Sequence, residues 1–341
     1  MVTPKHVKLP FETKPLLNHY HYIAFPMGII QANAKEDITP WLCGRYVNCV
    51  FNPDPYQNNI EISLFDRWGT ADKILDGQNI SLFNETYKLL EIDLISLLKS
   101  CLSNNFYIGG QFNERYLPGR AAYEQYDYIH DYILFGYSDD KQVFYSAGYL
   151  NGIYGEIEIP YIHMKNSLVA IAGRKLPIDI WSYNPNAKYT LNMHRLIKDW
   201  DDYVNSINSR KLYSYGKTYG IVAMKNLKVL LENQVTHSAD EPYIDIRYTK
   251  ALMEHKYLML LRLKYLSKNG YCEFSDIARE YENIYNNAVR IHLLGLKILN
   301  TKKAQYISGI TKFFNEIIEF EEHYFPKVVQ ILKEKTNFVI S

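Results

Sequence analysis

Residues 128–149 read YIHDYILFGYSDDKQVFYSAGY, and this stretch decides the fold that we expect for the chain. It holds two runs rich in aromatic and β-branched residues, separated by the turn-forming residues SDDK at 138–141. The pattern predicts an antiparallel hairpin with His130 near its start. Similar short apolar runs, punctuated by Gly, Pro, Asn and Asp, recur from about residue 20. We therefore expect an α+β domain with an antiparallel sheet over residues 1–183.

The rest of the chain has almost only helical periodicity. An Asn- and Pro-rich segment at 182–189 is the best candidate for a linker, so we expect a helical bundle domain over residues 184–341. The first half also contains two helical patterns, at 39–50 and 84–103. In the second half the predicted helices lie near 190–207, 211–234, 245–268, 275–300 and 302–335.

Composition removes several classes of function. The 341 residues include 38 Lys and Arg against 37 Asp and Glu, so the net charge of +1 creates no field that would attract nucleic acid. Hydrophobic residues make up 47% of the chain and charged residues 22%, which is typical of a folded globular protein. No apolar run approaches the length of a membrane span, and the first residues do not resemble a signal peptide. We expect a cytoplasmic protein that binds neither nucleic acid nor membrane.

The cysteines are the first candidates for chemistry. No CxxC pair is present, so we expect four free thiols rather than a metal site or a disulfide framework. Thr39 is a credible helix N-cap and Pro40 a favourable first helical residue. Cys43 would then lie in the first turn of a helix, where the macrodipole stabilises a thiolate. Cys49 would lie deeper, as a core residue or as the alternative nucleophile.

A histidine on a sheet opposite a cysteine on a helix is the arrangement of papain-type enzymes. The imidazole removes the thiol proton and later protonates the leaving group. His130 and Cys43 are the candidates for this pair. No phosphate-binding loop, HExxH or GxGxxG motif is present in the sequence, so we expect no metal and no cofactor of the protein's own.

The segment from Phe106 to Tyr149 resembles a known family. HDYILFGYSDDKQVF is similar to the histidine hairpin of papain-like, C39-like cysteine-protease domains, and most closely to the N-terminal domain of the butirosin-biosynthesis H protein. The helical segment IRYTKALMEHKYLMLLRLKYL also resembles proteins of nonribosomal-peptide and other thiotemplated pathways. The resemblance extends over about residues 10–335.

The resemblance implies acyl transfer through a cysteine thioester. Such an enzyme moves an acyl or peptidyl chain from the phosphopantetheine arm of a carrier protein to an amine or a diamine, and so acts as an acyltransferase or amide synthase in antibiotic biosynthesis. Cys43 would take the acyl group, and His130 would act as base and then as acid. The expected partners are an acyl or peptidyl carrier protein, which brings the phosphopantetheine, and a small amine acceptor.

Two family features have no clear counterpart in this sequence. The glutamine that stabilises the oxyanion is replaced by Asp37, and Gln31 is the nearest glutamine. The residue that orients the histidine is expected on the returning strand, where the chain offers Asn151; Asp131 and Asp140 are alternatives. A missing orienting group would favour a non-catalytic relative.

Three residues near His130 are candidates for substrate binding. Glu114 and Arg120 could bind polar groups of the substrate, although a solvated loop or a structural ion pair explains them as well. Tyr128 belongs to a group of tyrosines that could line an acyl tunnel or simply occupy half-buried sheet positions.

Two other functions remain open at this point. The same cysteine and histidine would make a hydrolase, a peptidase or a thioesterase, if water reached the acyl-enzyme. A non-catalytic accessory protein that binds a carrier protein, with Cys43 in its core, is the third possibility.

Overall fold

A computed structural model describes residues 4–53, 63–64, 73–83, 93–150, 153–171, 175–209, 216–236 and 241–336. The chain divides into two compact units. The first comprises Met1–Lys35 and Arg67–Lys188, and the second comprises Glu36–Asp66 and Tyr189–Ser341. The predicted domain limits, 1–183 and 184–341, stay a prediction. Cys43 belongs to the second unit and His130 to the first.

The described residues form ten strands and nine α-helices. The strands are β1 (His6–Lys8), β2 (Cys49–Phe51), β3 (Ser63–Leu64), β4 (Leu75–Phe83), β5 (Tyr107–Asn113), β6 (Ile129–Ser138), β7 (Val143–Leu150), β8 (Ile153–Pro160), β9 (Lys175–Tyr183) and β10 (Thr218–Tyr219). The helices are α1 (His21–Asn33), α2 (Thr39–Cys43), α3 (Leu94–Ser103), α4 (Tyr161–Val169), α5 (Met193–Asn205), α6 (Gly220–Thr236), α7 (Ile246–Lys268), α8 (Ser275–Thr301) and α9 (Ile307–Thr336).

An antiparallel sheet forms the centre of the first unit. Its strand order is β4-β9-β5-β6-β7-β8, and β1 pairs with the far end of β6. The predicted hairpin is confirmed, since β6 and β7 pair around the turn at 139–142. The last seven residues of β6 are all buried, because α1 and α3 both contact this strand. The α+β class is therefore confirmed, with an antiparallel sheet in the first half of the chain and helices in the second.

Helix α1 is absent from the sequence prediction. Its sequence, HYIAFPMGIIQAN, contains Pro26 and Gly28, both of which disfavour a helix interior. Nine of its residues are buried, so tertiary burial offsets the weak helix propensity. Gly28 is required for close packing, because a Cβ at this position would lie 2.5 Å from the Phe11 ring.

The predicted helix at 39–50 is much shorter in the structure. Helix α2 ends at Cys43, and residues 49–51 form strand β2 instead. Ile38, rather than Thr39, is the N-cap, and Thr39 is the first helical residue. The helix has five residues, and Cys43 is the last of them. Of the predicted helix at 84–103, residues 94–103 form α3, and residues 84–92 lie outside the described residues.

The second unit is mainly helical, as predicted. Helices α7 and α8 match their predicted bounds to within one residue at each end, whereas α5, α6 and α9 begin later than predicted. Helix α7 stops at Lys268, and Gly270 then adopts a φ of +72°, a left-handed conformation typical of a helix end. A small sheet with the strand order β10-β2-β3 completes the unit. None of the helices in the described ranges combines the length and the apolar character that a membrane span requires.

Candidate active site

His130 is hydrogen-bonded to a buried carboxylate in the first unit. Its Nδ1 atom lies 2.9 Å from Oε1 of Glu114, whose side chain is only 9% exposed. The His130 side chain is 35% exposed, so it is accessible to small molecules. A carboxylate can only accept, so Nδ1 carries the proton in this hydrogen bond. In the neutral imidazole, Nε2 then holds the lone pair that a general base needs.

The strand pairing explains why Glu114 meets His130. Strand β5 pairs with the start of β6, with Phe112 opposite His130. The chain then enters a single 3₁₀ turn at Glu114–Tyr116, which Asn113 caps by accepting a hydrogen bond from the Arg115 backbone. The backbone N–H of Glu114 donates to the carbonyl oxygen of Tyr128. Glu114 is thus held beside the beginning of β6, sixteen residues before His130 in the sequence.

Arg120 lies on the other side of the Glu114 carboxylate. Its guanidinium is 3.8 Å from Oε1 of Glu114 and also donates to the backbone carbonyl of Tyr149. Its side chain is 7% exposed. Burial lowers the pKa of Arg120, and the charge of Glu114 opposes that effect. His130, Glu114 and Arg120 therefore form one connected cluster within the sheet unit.

His21, which sequence reasoning did not place in the site, covers the His130 ring. The centroids of the two imidazoles are 4.6 Å apart, and His21 also stacks on Phe25. Burial, followed by the charges of His130 and Arg120, holds the pKa of His21 well below its ordinary value, while the Asp131 backbone acts in the opposite direction. His21 is the first residue of α1, so the helix-borne group that faces His130 in this unit is an imidazole.

The other predicted site residues of this unit have different surroundings. The Tyr128 ring lies 5.3 Å from that of His130 and is 42% exposed. Asp131 follows His130 on β6 and hydrogen-bonds Gln111, and burial raises its pKa. Gln31 accepts a hydrogen bond from the backbone of Leu16 at 2.7 Å. Asn151 lies outside the described residues.

Cys43 is completely buried in the second unit. Burial raises its pKa to about 12; Arg262 lowers it and Asp37 raises it, both to a smaller extent. The position of Cys43 at the end of α2, rather than in a first turn followed by a longer helix, removes the expected stabilisation of a thiolate. Its backbone carbonyl accepts a hydrogen bond from the buried Arg262 at 2.9 Å. The thiol is therefore protonated at neutral pH.

Cys49 has a histidine neighbour, yet this histidine cannot act as its base in the observed arrangement. The Cys49 sulfur is 3.3 Å from Nε2 of His255, and the same Nε2 is 2.9 Å from the carbonyl oxygen of Val47. A carbonyl accepts only, so Nε2 carries a proton and has no lone pair for the thiol. Burial also raises the pKa of Cys49. The geometry fits a core thiol.

Among the described residues, no group of three or more His, Cys, Asp or Glu side chains is arranged to hold a metal ion. The cluster around His130 comprises the imidazole and carboxylate pair, the Arg120 guanidinium and the His21 imidazole. This set is suited to proton transfer and to recognition of a carbonyl substrate.

No protein-family model matches the chain, and no curated protein matches it either.

Proposed function

We propose that the protein is an acyltransferase or amide synthase that transfers an acyl or peptidyl chain from a carrier-protein thioester to an amine. The observation that supports this proposal most is the 2.9 Å contact between Nδ1 of His130 and the buried Glu114 carboxylate. The proposal includes a papain-like, C39-like fold for the sheet unit and a cytoplasmic location. The phosphopantetheine arm belongs to the carrier protein, so the proposed enzyme needs no cofactor of its own.

The chemistry follows from the tautomer of His130. The amine nitrogen attacks the thioester carbonyl, and Nε2 of His130 takes the proton that the nitrogen loses. The carbon–nitrogen bond forms, the carbon–sulfur bond breaks, and His130 returns the proton to the departing thiolate. Glu114 stabilises the imidazolium between these two events, in the same way that a carboxylate supports the histidine of a catalytic triad.

This route needs no thiol of the protein, whereas the resemblance implies that Cys43 is acylated first. The Cys43 acyl-enzyme stays a prediction. Its complete burial and its raised pKa favour direct attack of the amine on the carrier thioester.

A non-catalytic accessory that binds a carrier protein is the second candidate function. Two observations favour it: Cys43 and Cys49 are both fully buried, and His21 is the helix-borne residue that faces His130. The accessory would bind the carrier protein without changing its acyl group. A hydrolase would release the free acid without any amine.

The proposed function is tested with acyl thioesters of N-acetylcysteamine and a panel of primary amines and diamines. We expect the amide to form, and Glu114→Gln to reduce its rate by roughly 10- to 100-fold. Glutamine can still accept from Nδ1, but it cannot stabilise the imidazolium, and a hydrogen bond to a charged group contributes about 1.5–3 kcal/mol.

Glu156→Gln is the matched control, because Glu156 is an exposed carboxylate of the same sheet that pairs with Lys8 at 2.7 Å. Its rate should equal that of the wild type. Free acid in the absence of amine would favour the hydrolase. A carrier protein that co-purifies with unchanged acyl groups, with no product, would favour the accessory.

A further inference from the structure

Arg120 has the surroundings of a residue built to hold a carboxylate in place. Its side chain is 7% exposed, although arginine is rarely buried unless it is paired. It is 3.8 Å from Glu114, donates to the carbonyl of Tyr149 on β7, and its guanidinium carbon lies 5.9 Å from the Phe112 ring. The guanidinium therefore connects the end of β7 to the turn that carries Glu114.

Glu114 needs such a partner. A carboxylate that is 9% exposed costs free energy in its charged form unless opposite charge and hydrogen bonds compensate. His130 supplies one hydrogen bond, and the Arg120 guanidinium supplies a permanent positive charge beside the carboxylate. Without Arg120, a shift of the Glu114 side chain would release Nδ1 of His130.

We propose that Arg120 is a positioning residue that acts on His130 through Glu114, and that Gly148 makes room for it. This inference rests on the proposed acyl transfer. The charge of Arg120 holds the Glu114 carboxylate in place, Glu114 accepts the hydrogen bond from Nδ1 of His130, and Nε2 is thereby kept as the base. Arg120 itself touches no reacting atom in this scheme.

Gly148 provides the second observation. A Cβ placed at Gly148 would lie 3.2 Å from Nη2 of Arg120, closer than a methyl group and a guanidinium ordinarily approach. Gly155 is the cross-strand partner of Gly148 on β8, and a Cβ there would meet no atom within 4 Å. The two glycines lie opposite each other on β7 and β8, yet only at Gly148 would an added Cβ approach Arg120.

The test combines a spectroscopic and a kinetic measurement on the full chain. The nitrogen resonances of ¹⁵N-labelled histidine report which ring nitrogen of His130 carries the proton, and the His130→Gln spectrum identifies its signals among the 10 histidines. The variants are Arg120→Gln, Gly148→Ala and the matched control Gly155→Ala. Amide formation is measured with the same acyl thioesters and amines, to give kcat and KM separately.

We expect a Nδ1–H tautomer in the wild type and in Gly155→Ala. In Arg120→Gln the Nε2–H tautomer should appear, and kcat should fall roughly 10- to 100-fold with KM nearly unchanged, because the base is misplaced. Gly148→Ala should also populate the Nε2–H tautomer and lower kcat, each to a smaller extent than Arg120→Gln does.

A wild-type tautomer together with a wild-type kcat in folded Arg120→Gln would overturn the inference. Equal effects of Gly148→Ala and Gly155→Ala would overturn it as well. If Arg120→Gln does not fold, the His130 tautomer and the kcat of Gly148→Ala, each compared with those of Gly155→Ala, test the inference instead. If the wild type makes no amide, the proposed function fails, and the tautomer of His130 in the variants still shows whether Arg120 positions it.

Discussion

Lys256→Met is expected to lower the free energy of unfolding by about 3–5 kcal/mol, the usual cost of removing one partner of a buried ion pair. Lys256 and Glu321 are both completely inaccessible to solvent, and the Lys256 ammonium lies 2.7 Å from Oε1 of Glu321. Tyr203 and Tyr281 donate their hydroxyls to the same carboxylate at 2.6 and 2.5 Å. Removal of Lys256 would leave the buried Glu321 charge without its ion-pair partner.

The tyrosines cannot replace Lys256. Burial and the neighbouring Glu321 hold the pKa of Tyr203 and of Tyr281 well above the ordinary value, so both hydroxyls stay protonated and donate. Their hydrogen bonds remain in the variant, but they carry no positive charge. The double variant Lys256→Met with Glu321→Gln should therefore be destabilised by less than the sum of the two single variants.

Chemical denaturation monitored by circular dichroism measures these changes. Lys264→Met is the matched control, because Lys264 also lies on α7 and pairs with Glu282 of α8 at 2.5 Å. Both of those side chains are about half exposed, so we expect a change of about 0–1 kcal/mol there. Equal effects of Lys256→Met and Lys264→Met would contradict the structural role of the buried pair.

His130→Gln is expected to reduce amide formation by about 10²- to 10⁴-fold, the usual contribution of a general base. Glutamine fills a similar volume and hydrogen-bonds Glu114, but it cannot take a proton from the amine. The variant should keep the stability of the wild type to within about 1 kcal/mol, since the ring is partly exposed. Initial rates with acyl thioester and amine give the comparison.

His163→Gln is the control for this substitution. His163 lies in the same unit, is half buried and has its Nδ1 atom 3.0 Å from the carbonyl oxygen of Tyr116, with no carboxylate at that nitrogen. The His163→Gln variant should form amide at the wild-type rate. A His130→Gln variant as active as His163→Gln would remove His130 from the mechanism.

The sequence was sufficient for the sheet hairpin because its signals are local. Runs rich in aromatic and β-branched residues on both sides of SDDK predict two strands and a turn, and β6 and β7 pair around that turn. The long helices α7 and α8 were predicted to within one residue at each end for the same reason, since their apolar periodicity is sustained over several turns.

The errors occur where tertiary contacts overrule local preference. Helix α1 was missed because Pro26 and Gly28 disfavour it, although the packed core stabilises it. The segment after Cys43 was predicted as helix, yet residues 49–51 pair with β3 and β10 as a strand. A helical pattern in a short segment does not reveal such pairing, because the partner strands lie far away in sequence.

The candidate site shows the same limit. The hairpin pattern predicts His130, and the sequence leaves Glu114 and Arg120 open as substrate ligands, as a structural ion pair or as part of a solvated loop. Their contact with each other depends on β5 lying beside β6 and on the 3₁₀ turn that follows β5. The role of Glu114 as the Nδ1 partner, and the place of His21 over the ring, could not be derived from spacing alone.

We propose that His130 and Glu114 catalyse acyl transfer by direct attack of the amine, without a thiol of the protein. The most direct test of this proposal is intact-protein mass spectrometry, together with product analysis, after incubation of the wild type and Cys43→Ala with acyl thioesters and amine. We expect amide formation at similar rates in both proteins, with no acyl adduct on either. A stoichiometric acyl adduct on the wild type that is discharged by amine, and that is lost together with amide formation in Cys43→Ala, would contradict it.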